Sequence, residues 1–195
     1  VKNLAIVGGF AAGKTTLSEG LVQQGYTRVS FARYLKDIAA TVYGDGMPIE
    51  KAGMYPVVDL SGASLMISGR QLLQQLGQAV KAMDRDFWIK SLLNEIGYGV
   101  YGEGPYVTDD CRFPYEAQAL ASFGSIDDGF IIIKLDTPLD VRIHRYEETY
   151  GRKPTPAELV HPSEIELSDI IPDITIDGTK SPKDILAEVF AYAIN

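Results

Sequence analysis

Near the start of the chain, Gly8-Gly9-Phe10-Ala11-Ala12-Gly13-Lys14-Thr15-Thr16 stands between an apolar run, Leu4 to Val7, and a stretch with Leu17, Leu21 and Val22 on one helical face. Strand, glycine loop, helix is the setting that a G-x-x-x-x-G-K-[ST] pattern requires before it carries chemistry. The glycines let backbone N–H groups turn toward one point, and the N-terminus of the following helix adds partial positive charge there. Such a loop cradles phosphate. Lys14 is placed to reach the outer phosphates, and Thr15 to offer its hydroxyl to Mg²⁺.

The rest of the chain alternates in the same way. Tyr26–Ala32, Tyr106–Asp110, Phe130–Asp136 and Asp173–Gly178 read as further strands, and Phe130–Asp136 has the continuous apolar character of a strand buried on both faces. Helices are expected over 33–43, 69–83, 84–96 with Asp84 as N-cap, 114–123 with Pro114 in its first turn, 138–151, and 181–193. Residues 97–105 form a loop, because four glycines in nine residues cannot hold a helix. Residues 44–68, rich in Gly, Pro and Met, read as an irregular mobile segment, and the three prolines of 152–164 as a lid or connection. The expectation is an α/β fold: five parallel strands with helices on both faces, in three layers, binding ligands at the carboxyl ends of the strands. At 195 residues the chain is read as a single domain.

Composition removes several classes of function. A net charge of −8 argues against a nucleic-acid surface held by a general basic field. No apolar run approaches a membrane span, and the chain enters a strand at once, so neither a membrane partner nor a leader is expected. The single cysteine, Cys111, allows no internal disulfide and points to the cytoplasm; it is read as a small buried hydrophobe. His144 and His161 lack metal-ligand spacing.

Carboxylates and arginines mark the rest of the site. In Val107-Thr108-Asp109-Asp110-Cys111-Arg112, an acid leaves an apolar strand where it can hold Mg²⁺ through water. Asp109 is the first choice and Asp110 the second; either could instead cap the helix at Pro114. Arg112 follows, and arginine grips phosphate with two parallel hydrogen bonds at any working pH. Arg33 and Arg70 each open a helix, either facing an anion or covering surface with their stems. Arg142 and Arg145 share one helical face, with Arg152 shortly after. They read as lid arginines over a moving phosphoryl group, although Arg145 could pair with Glu147 or Glu148. Two separated arginine groups suit an enzyme that binds two phosphorylated substrates.

The stretches GGFAAGKTT, SFARYLKDIAA, SGRQLLQQLG followed by MDRDFWIKSLL, VTDDCRFPYEAQAL, and HPSE followed by DITIDGT resemble the bacteriophage deoxynucleoside monophosphate kinases, within the P-loop nucleoside-monophosphate kinase superfamily. The resemblance runs in order over nearly the whole chain. It implies a core with an NMP-binding region at about 33–96 and a lid at about 142–164, acting in the cytoplasm on small nucleotides. ATP and Mg²⁺ would lie on Gly8 to Thr16, with Arg70 and Arg112 on the acceptor phosphate. Arg142 falls where such enzymes place an arginine against adenine, Arg145 where one reaches the phosphates, and Asp177-Gly178-Thr179 beside the adenine. Phe31, Trp88 and Tyr106 would shape the acceptor-base pocket, though aromatic residues in such places more often belong to the core. The arginine spacing of three departs from the four commoner in adenylate kinases, and no role follows for His161-Pro162-Ser163-Glu164. A homodimer is compatible with the sequence.

Two rivals stand beside this reading. Dephospho-coenzyme A kinase shares the donor and differs in acceptor. A GTP switch could claim Asp59-Leu60-Ser61-Gly62, but the guanine-reading N/T-K-x-D is absent, since Ile133 stands in the polar position of Ile133-Lys134-Leu135-Asp136.

Overall fold

The computed structural model describes residues 1–44, 47, 49–50, 53–58, 61–124, 129–160 and 162–193. Two compact units form: residues 1–29 with 101–195, and residues 30–100.

The first unit carries a five-stranded parallel sheet. Its centre is β1 (Asn3–Val7), where Leu4, Ala5, Ile6 and Val7 are all fully buried. Burial on both faces is why this run shows no polar alternation. On one side β1 pairs with β5 (Tyr106–Thr108), which pairs in turn with the edge strand β2 (Thr27–Arg28). On the other side β6 (Phe130–Asp136) pairs with β1, and β7 (Ile174–Asp177) with β6. Helices α1 (Lys14–Gln23) and α9 (Pro182–Ala193) pack on each other, closing a core of Leu4, Ile6, Leu17, Leu21, Leu135, Ile176 and Val189; α5 (Pro114–Ala121) lies against β6. Burying each such side chain contributes roughly 1.5–3 kcal/mol. After β6 comes α6 (Leu139–Tyr150), then two single turns, α7 (Pro156–Leu159) and α8 (Pro162–Ile165), and a 3₁₀ turn at Glu166–Asp169. The lid region is therefore turn upon turn of helix rather than a bare connection.

The second unit holds α2 (Ala32–Tyr43), a hairpin of β3 (Met54–Val58) and β4 (Ser64–Ser68), α3 (Gly69–Met83) and α4 (Phe87–Gly97). Ala39, Ile49, Ile67, Leu72 and Leu73 form its own small core. The expected region 33–96 falls wholly inside this unit.

Three sequence expectations need correction. The strand over 26–32 is only two residues long, because Ser30 turns the chain by accepting the Ala32 N–H, and α2 begins there. The 44–68 segment contains the β3–β4 hairpin. Among the described residues its two short strands pair only with each other, and Pro56 weakens the pattern that would have announced them. Asp84 does not cap α4. It closes α3, and its carboxylate accepts the Asp86 N–H and the Lys90 ammonium, so that α4 starts at Phe87. At α3 the Ser68 hydroxyl accepts the Gln71 N–H while the Gln71 side chain accepts the Ser68 N–H, a reciprocal cap. Among the described residues no helix is long and apolar enough to cross a membrane.

Candidate phosphate-binding site

The glycine loop leaves β1 and enters α1 through Gly13, whose φ of 102° is left-handed. A side chain would be strained there. Ala11 adopts φ 51°, a conformation alanine pays roughly 1–2 kcal/mol to hold. Such local cost is found where a backbone is shaped for a ligand. Gly13, the N-cap of α1, has no side chain to cap it, which leaves the first N–H groups of the helix to an anion.

Lys14 curls back over the loop and donates to Gly8 O at 2.6 Å and Gly9 O at 2.7 Å. Burial, followed by the field of Arg112, pulls its pKa from the usual lysine value down to about 8, while Glu164 and Asp109 act in the opposite sense. Arg112, itself exposed on the surface, is thus electrically coupled to the loop.

Thr15 and Asp109, the two residues expected to serve Mg²⁺, meet directly: the Thr15 hydroxyl donates to Asp109 Oδ2 at 3.0 Å. Asp110 does not join them; it accepts the Thr108 hydroxyl at 2.7 Å. Neither acid caps α5. That task falls to Glu116, which accepts the N–H groups of Arg112 and Phe113. A hydroxyl with one nearby acid fits Mg²⁺, which keeps several waters and draws other ligands from phosphate. Among the described residues no cluster of three or more acidic, His or Cys side chains forms a metal cage.

Arg28 is a member of this site that the sequence did not announce. It pairs in register with Val107, and the side chain two residues further along the same face of β5 is Asp109. Arg28 donates from Nε and Nη2 to Oδ1 at 3.0 and 2.8 Å, and from Nη2 to Oδ2 at 2.7 Å. An arginine inside a short edge strand, opposite an acid-ending strand, was the available signal.

The α6 arginines reach different residues of the loop. Arg145 donates to Ala12 O at 3.4 Å and Gly178 O at 3.0 Å, tying the loop to the turn Asp177-Gly178-Thr179. That turn is closed by the Thr179 N–H and hydroxyl on Asp177, whose pKa they lower. Arg145 takes neither alternative carboxylate: Glu148 pairs with His144, and Glu147 with Lys153. Arg142 lies nearer the loop mouth. It donates to Thr137 O at 3.1 Å and Glu164 Oε2 at 3.0 Å, and its guanidinium stands 4.8 Å from the centre of the Phe10 ring. Arg152, exposed, covers Tyr146, which meets Phe10 edge to face.

In the second unit, Phe31 and Trp88 are buried, and Trp88 Nε1 donates to Gly77 O at 3.3 Å. Arg33 pairs with Asp37 at 3.6 Å and Glu95 at 3.7 Å. Arg70 opens α3, but its side chain lies outside the described residues, as do His161 and Asp59. Cys111 is a buried free cysteine, and burial drives its thiol pKa far upward.

No protein-family model and no curated protein matches this sequence. Solved structures do match its fold. An unliganded sugar kinase from Janibacter sp. HTCC2649 superposes with a TM-score of 0.60 at 16% identity, over 100% of this chain and 95% of its own. A shikimate kinase from Aquifex aeolicus gives 0.55 at 15%, over 97% and 94%. A gluconokinase from Sinorhizobium meliloti 1021 gives 0.53 at 15%, over 97% and 90%. The chain therefore has the α/β fold of the P-loop kinases, a five-stranded parallel sheet with helices around it.

Proposed function

We propose that this chain is a nucleotide kinase that moves the γ-phosphoryl of Mg-ATP onto the 5′-phosphate of a deoxynucleoside monophosphate, giving ADP and the diphosphate. The observation that carries the reading is the pairing of the glycine loop with Thr15, Asp109 and Lys14 under the arginines of α6. Phosphoryl transfer asks a protein for placement and charge rather than for a covalent nucleophile.

An oxygen of the acceptor phosphate forms the new bond to γ-phosphorus as the bond to the β-phosphate bridging oxygen breaks, and ADP leaves with that electron pair. Lys14 would turn from the loop carbonyls to the phosphates. Reversing the roles expected from the sequence, Arg145, joined to Gly178, is assigned to the adenine side, and Arg142, over Phe10, to the phosphates. Mg²⁺, held by the Thr15 hydroxyl with Asp109 behind it, would neutralise charge on the outer phosphates. Arg112, Asp110 and Arg152 are assigned to the acceptor, as are Arg33 and Arg70, with the buried Phe31 and Trp88 as support for the acceptor base. The partners are small nucleotides, and the expected place of action is the cytoplasm, of a host if the protein is phage-borne.

A second reading is a kinase of a small hydroxyl acceptor, since the fold is shared with sugar, gluconate and shikimate kinases. ADP release from Mg-ATP is the test, run against each deoxynucleoside monophosphate, its ribose counterpart, dephospho-coenzyme A, gluconate and shikimate. Stimulation by deoxynucleotides with recovery of the diphosphate is expected, and Lys14→Ala should abolish it. Stimulation by a hydroxyl acceptor alone would overturn the nucleotide reading while keeping the kinase.

A further inference from the structure

Glu164 comes from the lid to the glycine loop across 154 positions of sequence, and the Phe10 N–H donates to both its oxygens, at 3.0 and 3.1 Å. The same carboxylate takes Arg142 Nη1 at 3.0 Å, in an ion pair whose side chains are only 19% and 13% exposed. It lies directly above the loop: a methyl built on Gly9 would stand 2.9 Å from Glu164 Oε2 and would overlap Arg142 Nη1. Its negative field also reaches Lys14. One carboxylate thus engages an N–H of a phosphate-type loop and the Arg142 guanidinium, with the Lys14 ammonium within its field. Loops that turn N–H groups and a helix N-terminus together select anions, and the anion on this one belongs to the chain itself.

We propose that Glu164 is the residue that positions Arg142 and sets the strength of donor binding: an internal counter-anion, carried by the lid, that a nucleotide polyphosphate must displace. The inference rests on the reading of the loop as the ATP phosphate site. A phosphate group and a carboxylate repel each other, and the Phe10 N–H cannot serve both with good geometry. Arg142 is held over Gly9 by Glu164 until the polyphosphate arrives, and is then handed to the stronger anion. The carboxylate leaves with α8. Lid movement and polyphosphate binding are in this way two sides of one exchange, and Glu164 lowers affinity for any ligand that does not bring enough negative charge to take its place.

The test uses the full chain and two probes, Mg-ATP and inorganic tripolyphosphate, titrated calorimetrically into the wild type, Glu164→Gln and Lys14→Ala. Glutamine keeps the size and an acceptor oxygen but removes the charge. Glu164→Gln should bind both probes about 3- to 30-fold more tightly, with a difference that shrinks at high salt. Unchanged or weaker binding of the two probes would overturn the proposal. A second measurement needs no variant: hydrogen exchange of the wild type should become faster over residues 162–169 when tripolyphosphate binds. Slower exchange there would show the lid tightening with Glu164 in place, and would overturn it too. If the wild type bound neither probe and Lys14→Ala changed nothing, the reading of the loop itself would fall, and this inference with it; tight binding to the wild type with no gain in Glu164→Gln would remove the inference alone.

Discussion

Arg28 of β2 and Asp109, the residue that follows the neighbouring strand β5, lie 81 positions apart in sequence and are joined by three hydrogen bonds, and the Asp109 side chain is 5% exposed. The carboxylate is thereby aimed, with the Thr15 hydroxyl on one oxygen and the guanidinium on both. Arg28 is itself 42% exposed, so solvent weakens the pair. Arg28→Ala should still cost about 1–3 kcal/mol, because it strands a buried acceptor. Arg28→Lys restores charge but not the two-pronged geometry, and should recover less than half of the loss. Urea denaturation of the two variants reads this directly. A cost below about 0.5 kcal/mol for the alanine would mean that the pair does not hold Asp109.

Lys14 gives a pH dependence with a definite sign. Burial lowers its pKa to about 8 from the 10.5 of an exposed lysine. Between those values the unfolded chain carries more protons than the folded one, so stability from this residue rises with pH across that interval. Function runs the other way. The charged form is the one that attracts phosphate, so polyphosphate affinity should be full below about pH 8 and fall above it, with protons taken up on binding in the alkaline range. Titration calorimetry of Mg-ATP between pH 7 and 10 checks both the fall and the uptake. A profile flat to pH 10 would mean that Lys14 either keeps its charge to that pH or does not touch the phosphates.

Trp88 tests whether a buried aromatic residue of the second unit serves packing or substrate contact. The ring is buried, meets Phe87 edge to face at 4.9 Å, and uses its N–H on Gly77 O. Trp88→Phe keeps an aromatic ring and removes the donor, leaving a carbonyl less satisfied and a small void. The expected loss is about 1–2 kcal/mol of stability, seen in thermal denaturation, with acceptor KM within about twofold of wild type. A raised KM at unchanged stability would instead put the indole on the substrate.

Much of this was legible in the sequence where one local rule acted alone. The loop needed only its glycines and its two flanks, and the buried strands announced themselves by unbroken apolar runs. Thr15 and Asp109, the latter ahead of Asp110, could be expected near one point because each is fixed by the end of a strand or the start of a helix. Arg28 could not, because its role depends on which strand lies beside β2, and that is a matter of sheet order rather than of spacing. The hairpin at β3 and β4 was hidden for a similar reason: two five-residue strands containing Pro56 acquire meaning only when paired. Glu164 was the hardest. Nothing in His161 to Glu164 says that a carboxylate there will meet a backbone N–H at residue 10, and only the turn of α8 after the prolines brings it over the loop.

Gly9 supplies the sharpest check on that arrangement. Its place is taken on one side by Arg142 Nη1, which a methyl group would overlap, and by Glu164 Oε2 at 2.9 Å from the same methyl. The obstacle is the end of a flexible side chain, not backbone, so Gly9→Ala should fold while driving the guanidinium away from Phe10 and Glu164. A cost of about 1–3 kcal/mol is expected, as for other insertions into filled space. With Arg142 removed only the Glu164 contact is left, so most of the penalty should go. The double variant Gly9→Ala, Arg142→Ala should then lose little stability relative to Arg142→Ala alone, a coupling of about 1–2 kcal/mol between the two positions. Urea denaturation of the four proteins in the cycle measures it. Strict additivity would mean that Arg142 does not stand over Gly9, and the seat assigned to Glu164 would lose its neighbour.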